Sequence, residues 1–146
     1  MINSNDVELT LSTSIHDPGI LFWMVMEYAE RSGKDKWECF GEAFSPMSLT
    51  VLFKNKLIDM YFGYCSIKHM DDDTLFFNQG LMLYPIEDPA NLMANIHAKI
   101  LTCNVSTPGK LIIHSDLPGR LWRNWGFSES KVKIYERDMG GPNNGK

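Results

Sequence analysis

Residues 119–127, GRLWRNWGF, place two tryptophans three positions apart among two arginines and close on Trp-Gly-Phe. At helical spacing Leu117, Leu121 and Trp125 share a face, with Trp122 adjacent, while Arg120 and Arg123 fall on another side. Gly126 follows as a helix-ending residue. The spacing predicts a short helix over 116–125, with its tryptophans lining core or cleft. The competing reading, rings stacked on nucleic-acid bases beside two arginines, needs the tryptophans exposed. It also needs a basic charge balance, because affinity for nucleic acid comes largely from neutralising phosphates. The chain has 14 basic residues against 18 acidic ones, a net charge of −4. Nucleic acid is set aside as a partner on that ground.

Working outward, residues 131–137 after this helix alternate as a last strand, and GGPNNGK closes the chain without a core-forming residue. Before the helix, LIIHS reads as a short buried strand ending at His114. It is separated by STPGK from a helix in which Leu92, Ile96, Ile100 and Cys103 recur at near-helical spacing. Asp88 and Pro89 suit that helix's cap and first position. The middle of the chain reads as an antiparallel meander: residues 49–53, a turn at 54–56, residues 57–68, a polar HMDDDT turn, and residues 75–84. Gly80 inside the last of these strands marks an expected bulge.

Residues 7–13 alternate as a first strand. Asp17 and Pro18 then open a helix whose face is Leu21, Met24, Val25, Tyr28 and Ala29, ending near Gly33. Ile20, Phe22, Trp23 and Met26 widen that stripe almost all round, so this helix is expected to be well buried. A second helix is expected over 36–44, with Trp37, Phe40 and Phe44 on one side. The order is β-α-α-β-β-β-α-β-α-β. It defines a mixed-sheet α/β domain: an antiparallel meander, a β-α-β crossover, and helices on both faces.

At 146 residues, 44% apolar and 12% aromatic, the chain suits one packed domain, read as 1–139 with a flexible tail over 140–146. Cys39, Cys65 and Cys103 are odd in number and form no C-x-x-C pair, which fits a reducing compartment. The start MINSNDVELTL lacks the pattern of a signal peptide, and no run approaches the roughly 20 apolar residues of a membrane span. A cytoplasmic protein without a membrane partner is expected. Asn104-Val105-Ser106 is a chance sequon in that setting.

LWRNWGF followed by a final strand is similar to the Leu-Tyr-x-x-x-Gly-Phe motif of the GNAT superfamily of acyl-CoA-dependent N-acetyltransferases, and the order of elements resembles that family along nearly the whole chain. The resemblance implies acetyl-CoA as cofactor and a small-molecule or protein amine as acceptor. It places the cofactor along Leu83, Tyr84, Asn91 and Leu92, where the family carries an Arg/Gln-x-x-Gly-x-Gly/Ala loop whose amides hold a pyrophosphate. The matching YPIEDPANLM has no glycine and no arginine or glutamine. Glu87 and Asp88 put negative charge at the anion site, Asp88 is expected to cap the helix amides with its own carboxylate, and Pro89 removes a donor.

Trp122 stands where the family places the tyrosine that protonates the departing thiolate, and Ser115 where it places an asparagine. The strand over 75–84 offers Asn78 and Gln79 in place of a carboxylate base. His114 is the remaining titratable candidate, against the plainer reading of a hydrogen-bonded structural histidine. The catalytic candidates are therefore His114, Trp122 and Asn78.

Other signals are weaker. His16, His69, His97 and His114 show no metal-ligand spacing with Cys, Asp or Glu, so no metal is expected. HMDDD reads as a solvated turn, and the nine methionines as core. No P-loop, G-x-S-x-G or dinucleotide fingerprint occurs. Two readings follow: a divergent N-acyltransferase, or a catalytically inactive GNAT-like scaffold that binds a protein partner. In size and in its altered loop the chain resembles small GNAT-like proteins of tailed phages, which implies a virion or host-cytoplasm setting for the second reading.

Overall fold

Val7 and Glu8 open strand β1 (Val7–Leu11), the first buried and the second exposed. The strand stops short of Thr13 because Ser12–Ser14 close into a 3-10 turn. The Asp17 carboxylate then accepts from the Gly19 N–H at 2.9 Å, Pro18 takes the first position of helix α1 (Pro18–Ser32), and Gly33 ends it at φ 67°. Asp35 caps α2 (Lys36–Ala43) through the Glu38 N–H at 3.1 Å. Strands β2 (Ser48–Asn55), β3 (Met60–Asp71) and β4 (Thr74–Met82) follow, then α3 (Pro89–Leu101), β5 (Lys110–Ile113) and α4 (Gly119–Asn124). This computed structural model describes residues 1–15, 17–71, 74–103, 110–113 and 119–128. The expected strand at 131–137 and the tail lie outside them.

The sheet order is β1-β2-β3-β4-β5, antiparallel through β4, with β5 parallel to β4 across the α3 crossover. Helices cover both faces. Val51, Phe53, Phe62, Cys65, Ile67 and Leu75 pack against Leu92, Ile96 and Ile100 of α3. Leu52, Tyr64 and Leu81 pack against Leu21, Met24, Val25 and Ala29 of α1 and against Cys39 and Ala43 of α2. Among the described residues no helix is long and apolar enough to cross a membrane.

Two bulges set which side chains face which helices. Ser66 pairs with Gln79 but Ile67 pairs with Phe77, so Asn78 is an extra residue in β4. A one-residue insertion inverts the alternation beyond it. Leu75 and Phe77 thus join the α3 side, while Leu81 joins the α1–α2 side. The expected bulge at Gly80 is displaced to Asn78, and Gly80 pairs in register with Cys65. On β3, Phe53 pairs with Gly63 and Lys54 with Tyr61, which leaves Phe62 as the extra residue. A Cβ on Gly63 would stand 2.4 Å from the Leu81 carbonyl oxygen, so no larger residue fits there without moving backbone.

Three other expectations are corrected. The first hairpin turns at residues 56–59 rather than 54–56, because Lys54 and Asn55 still pair with β3, and Asp59 takes the positive φ the turn needs. Helix α1 is not buried all round: Phe22, Trp23 and Met26 are about half exposed. In α2 the apolar side that carries Trp37 and Phe44 is not the buried one, which is formed by Cys39 and Ala43. These two small residues let the helix backbone approach the sheet, where Thr50 Oγ1 donates to the Ala43 carbonyl at 2.8 Å and Gln79 Nε2 to the Cys39 carbonyl at 3.1 Å. Trp37 is left 70% exposed.

Candidate functional site

The bulge in β4 and the close approach of α2 create an open cleft of about 290 Å³ lined by Tyr28, Lys34, Glu38, Cys39, Glu42, Asn78 and Gln79. Glu38 and Glu42 are one helical turn apart on α2, so both carboxylates reach the same side. The Asn78 side-chain amide donates to Glu42 Oε2, which ties the bulge to the helix. Beneath them Gln79 is buried and fully engaged. It accepts from the Tyr64 hydroxyl at 2.6 Å and donates to Cys39.

At the other wall Lys34 Nζ donates to the Tyr28 hydroxyl at 2.9 Å. That bond holds the Lys34 ammonium above its ordinary pKa. Burial pushes Tyr64 upward, so it stays a neutral donor, and burial likewise raises the Cys39 thiol. Cys65 is raised to about 12 by burial and is chemically silent at neutral pH. The cleft therefore has a fixed neutral floor, one cation and two acidic side chains. That arrangement suits a ligand carrying a positively charged amine.

The second region is the loop from β4 into α3, and it is closed by the start of the chain. Ile2 bridges Ile86 in parallel, with the Ile2 N–H on the Pro85 carbonyl at 3.3 Å and the Glu87 N–H on the Ile2 carbonyl at 2.9 Å. The expected self-cap by Asp88 is not made. Its carboxylate instead accepts from the Ser4 N–H at 2.8 Å and the Ser4 hydroxyl at 2.5 Å. The Ser4 hydroxyl, followed by the Ser4 N–H, holds the Asp88 carboxyl below its ordinary pKa. The Asn91 side-chain amide donates to the same Ser4 hydroxyl oxygen, and Asn3 Nδ2 reaches Glu87 at 3.3 Å. The Asn91 and Leu92 N–H groups go to the Asp88 carbonyl. Gly126 approaches from the far side, where a Cβ would meet Ala90 at 3.8 Å.

Of the residues singled out from sequence, Asn78 lines the cleft. Leu92 is fully buried in the core, Tyr84 stacks on Phe62 with centroids 4.9 Å apart, and the Leu83 N–H pairs with the Phe62 carbonyl at 2.8 Å. Trp122 packs edge-on against Phe77 and Phe127 at 6.4 and 5.7 Å. Its indole nitrogen is buried and has no hydrogen-bond partner among the described residues. The Phe127 N–H bonds back to the Trp122 carbonyl, and Gly126 takes φ 90° to permit it, so Trp-Gly-Phe closes α4. Trp125 and Phe127 pack on the α3-side core, which for Trp125 agrees with its reading as a lining residue. His114 and Ser115 lie outside the described residues. Among the described residues no group of His, Cys, Asp or Glu could hold a metal ion.

Sequence reasoning missed Glu38, Glu42, Tyr28 and Lys34 as cleft residues. A signal for two of them existed: Glu38 and Glu42 lie four apart, away from the aromatic stripe of α2, and Asn78-Gln79 interrupts an apolar strand. Nothing local joins those two signals.

No protein-family model matches the sequence, and no curated protein matches it. Solved structures do match the fold. A structure described as a probable acetyltransferase superposes with a TM-score of 0.64 at 10% identity, over 92% of this chain and 98% of that one. A possible acetyltransferase from Clostridium difficile 630 gives 0.62 at 10% identity, over 92% and 99%. Tetrahymena GCN5 gives 0.61 at 13% identity, over 93% and 91%. The chain has the GNAT acetyltransferase fold, as the Trp-Gly-Phe resemblance implied.

Proposed function

We propose that the chain is a non-catalytic GNAT-fold binding protein that keeps an amine-accepting cleft between α2 and β4. The observation that carries this reading is the Asp88 carboxylate held by Ser4 at the start of α3, which fixes a negative charge and the first residues of the chain where the family binds an anion. A coenzyme A pyrophosphate needs free backbone amides and a local positive field. Here two prolines supply no N–H, and the amides of Glu87 and Asn91 are already bonded. The carboxylates of Glu87 and Asp88 stand at the same place. That charge works against an anionic group, and no acyl-transfer step is drawn through it.

Isothermal titration with acetyl-CoA tests the reading. The expected result is no heat at high micromolar cofactor; saturable binding in that range overturns it. For the cleft, an NMR titration with putrescine should shift resonances around Glu42 and Asn78 and leave the α3 N-terminus unmoved.

A second reading, a divergent N-acyltransferase acting on a small-molecule or protein amine, is favoured by Glu42 beside the β4 bulge. Its carboxylate, oriented by Asn78, stands where it would take a proton from an ammonium in the cleft. Saturable acetyl-CoA binding together with acetylation of an amine, lost in Glu42→Gln, would establish this reading in place of the first.

A further inference from the structure

The uncovered aromatic face of α1 and α2 is the largest feature that the cleft and loop leave unexplained. Phe22, Trp23 and Met26 fall on one stripe of α1, opposite its buried residues. Trp37, Phe40 and Phe44 form the matching stripe of α2. The stripes are continuous, because the Phe22 ring lies 4.8 Å from Phe40 and 4.9 Å from Phe44, and Trp37 lies 6.1 Å from Phe40. Exposed fractions are 48% for Phe22, 51% for Trp23, 49% for Met26, 70% for Trp37 and 42% for Phe44. With roughly 150–250 Å² per large side chain, the bare apolar area is on the order of 500–600 Å².

That area is at the upper end of what monomers leave uncovered, roughly 300–600 Å². It is also most of the roughly 800 Å² that each partner contributes to an interface of standard size. The stripe has the aromatic and methionine side chains of an interface core, with the exposed Glu30 one turn beyond Met26 on the same side of α1. Its edge carries both signs, with Lys36 over the Trp37 ring at 5.2 Å and Arg31 paired to Glu27 at 3.1 Å. A two-fold axis sets such an edge against itself with opposite charges in reach.

We infer that this face is the interface of a symmetric dimer, in which a second copy of the chain covers Phe22, Trp23, Met26, Trp37 and Phe44. The inference does not depend on the reading of the cleft. Light scattering on the eluting protein at 1–100 μM is the test. The expected mass is about 33 kDa at the upper concentration, twice the 16.7 kDa of the chain. A mass of one chain throughout overturns the proposal, including the case in which a different protein is the natural occupant.

Trp23→Glu and Trp37→Glu are each expected to raise the dissociation constant by roughly 30-fold or more. Circular dichroism and thermal unfolding check that these variants fold, and both positions are exposed enough that they should. Tryptophan emission should shift to the blue with rising concentration in the parent and not in the double variant. The hairpin tip also exposes Leu57, at 72%, and serves as the control. A dimer that survives both Trp variants, or that dissociates in Leu57→Glu, overturns the assignment of the face.

Discussion

Strand β4 carries polar residues at its bulge and leads into a polar loop, and the two places are built in opposite ways. At the bulge, Tyr28, Lys34, Glu38, Glu42 and Asn78 arrive from α1, the α1–α2 connection, α2 and β4 and leave a cleft between them. At the loop, Asp88, Ser4, Asn91, Glu87 and Asn3 arrive from two segments and use each other up. Both regions look equally polar as sequence. A polar cluster recognises a ligand only where its own members leave hydrogen-bonding capacity over.

The largest expected effect breaks the floor of the open site. Gln79→Leu strands the Tyr64 hydroxyl in the interior and removes the second bond to the Cys39 carbonyl, and should cost about 2–3 kcal/mol in urea unfolding. Adding Tyr64→Phe should recover part of that loss, since removing both partners is cheaper than removing one. A single variant within about 0.5 kcal/mol of the parent would show that the floor is not dry.

Next comes the closed site. Ser4→Ala removes one of the two bonds to Asp88 and should cost about 1 kcal/mol. Its pH dependence follows from the sign of the shift. A carboxyl held below its ordinary pKa stabilises the fold above the unfolded value, and that contribution is lost as pH falls through the folded value. The parent's margin over Asp88→Asn should therefore be full at neutral pH and close below about pH 4. A margin independent of pH between 7 and 3 would contradict the Ser4 contact.

A smaller effect separates the regions by function. Glu42→Gln should change stability by less than about 0.5 kcal/mol, because Asn78 still finds an oxygen, while abolishing the putrescine response. The smallest is Tyr28→Phe, which removes the acceptor of Lys34 at an exposed site and should cost at most a few tenths of a kcal/mol. Since Lys34 is held above its ordinary pKa, that margin is present below about pH 10 and disappears as pH rises further.

The features legible in the sequence were those decided within a few residues. Asp17-Pro18 and Gly33 bound α1, and Leu21, Met24, Val25 and Ala29 give its inner face, because capping and periodicity are local rules. Asp88-Pro89 marks the start of α3 for the same reason, yet the partner of Asp88 is 84 residues away and nothing near it announces Ser4. The bulge at Asn78 has no residue signature of its own. It arises from how β3 and β4 pair, and it inverts which residues meet α2. Periodicity overstated the burial of α1 and α2 because an apolar stripe says only that something covers it, not that this chain does. Trp-Gly-Phe was informative because a helix end, a positive φ and a core contact coincide within a few residues.

The tie between Ser4 and Asp88 also has a consequence in time. Contacts of such sequence separation close late, since the chain between them must be ordered first. Ile2 and Ser4 anchor the N-terminal strip from buried positions, and the bond from Asn3 to Glu87 lies at the surface. The strip should be the last part of the described structure to dock and the first to lift, without the sheet coming apart. Hydrogen exchange would record this as two clocks on one stretch of backbone: a fast one at the Glu87 amide, which bonds to Ile2, and a slow one four residues earlier at Leu83, which bonds to Phe62.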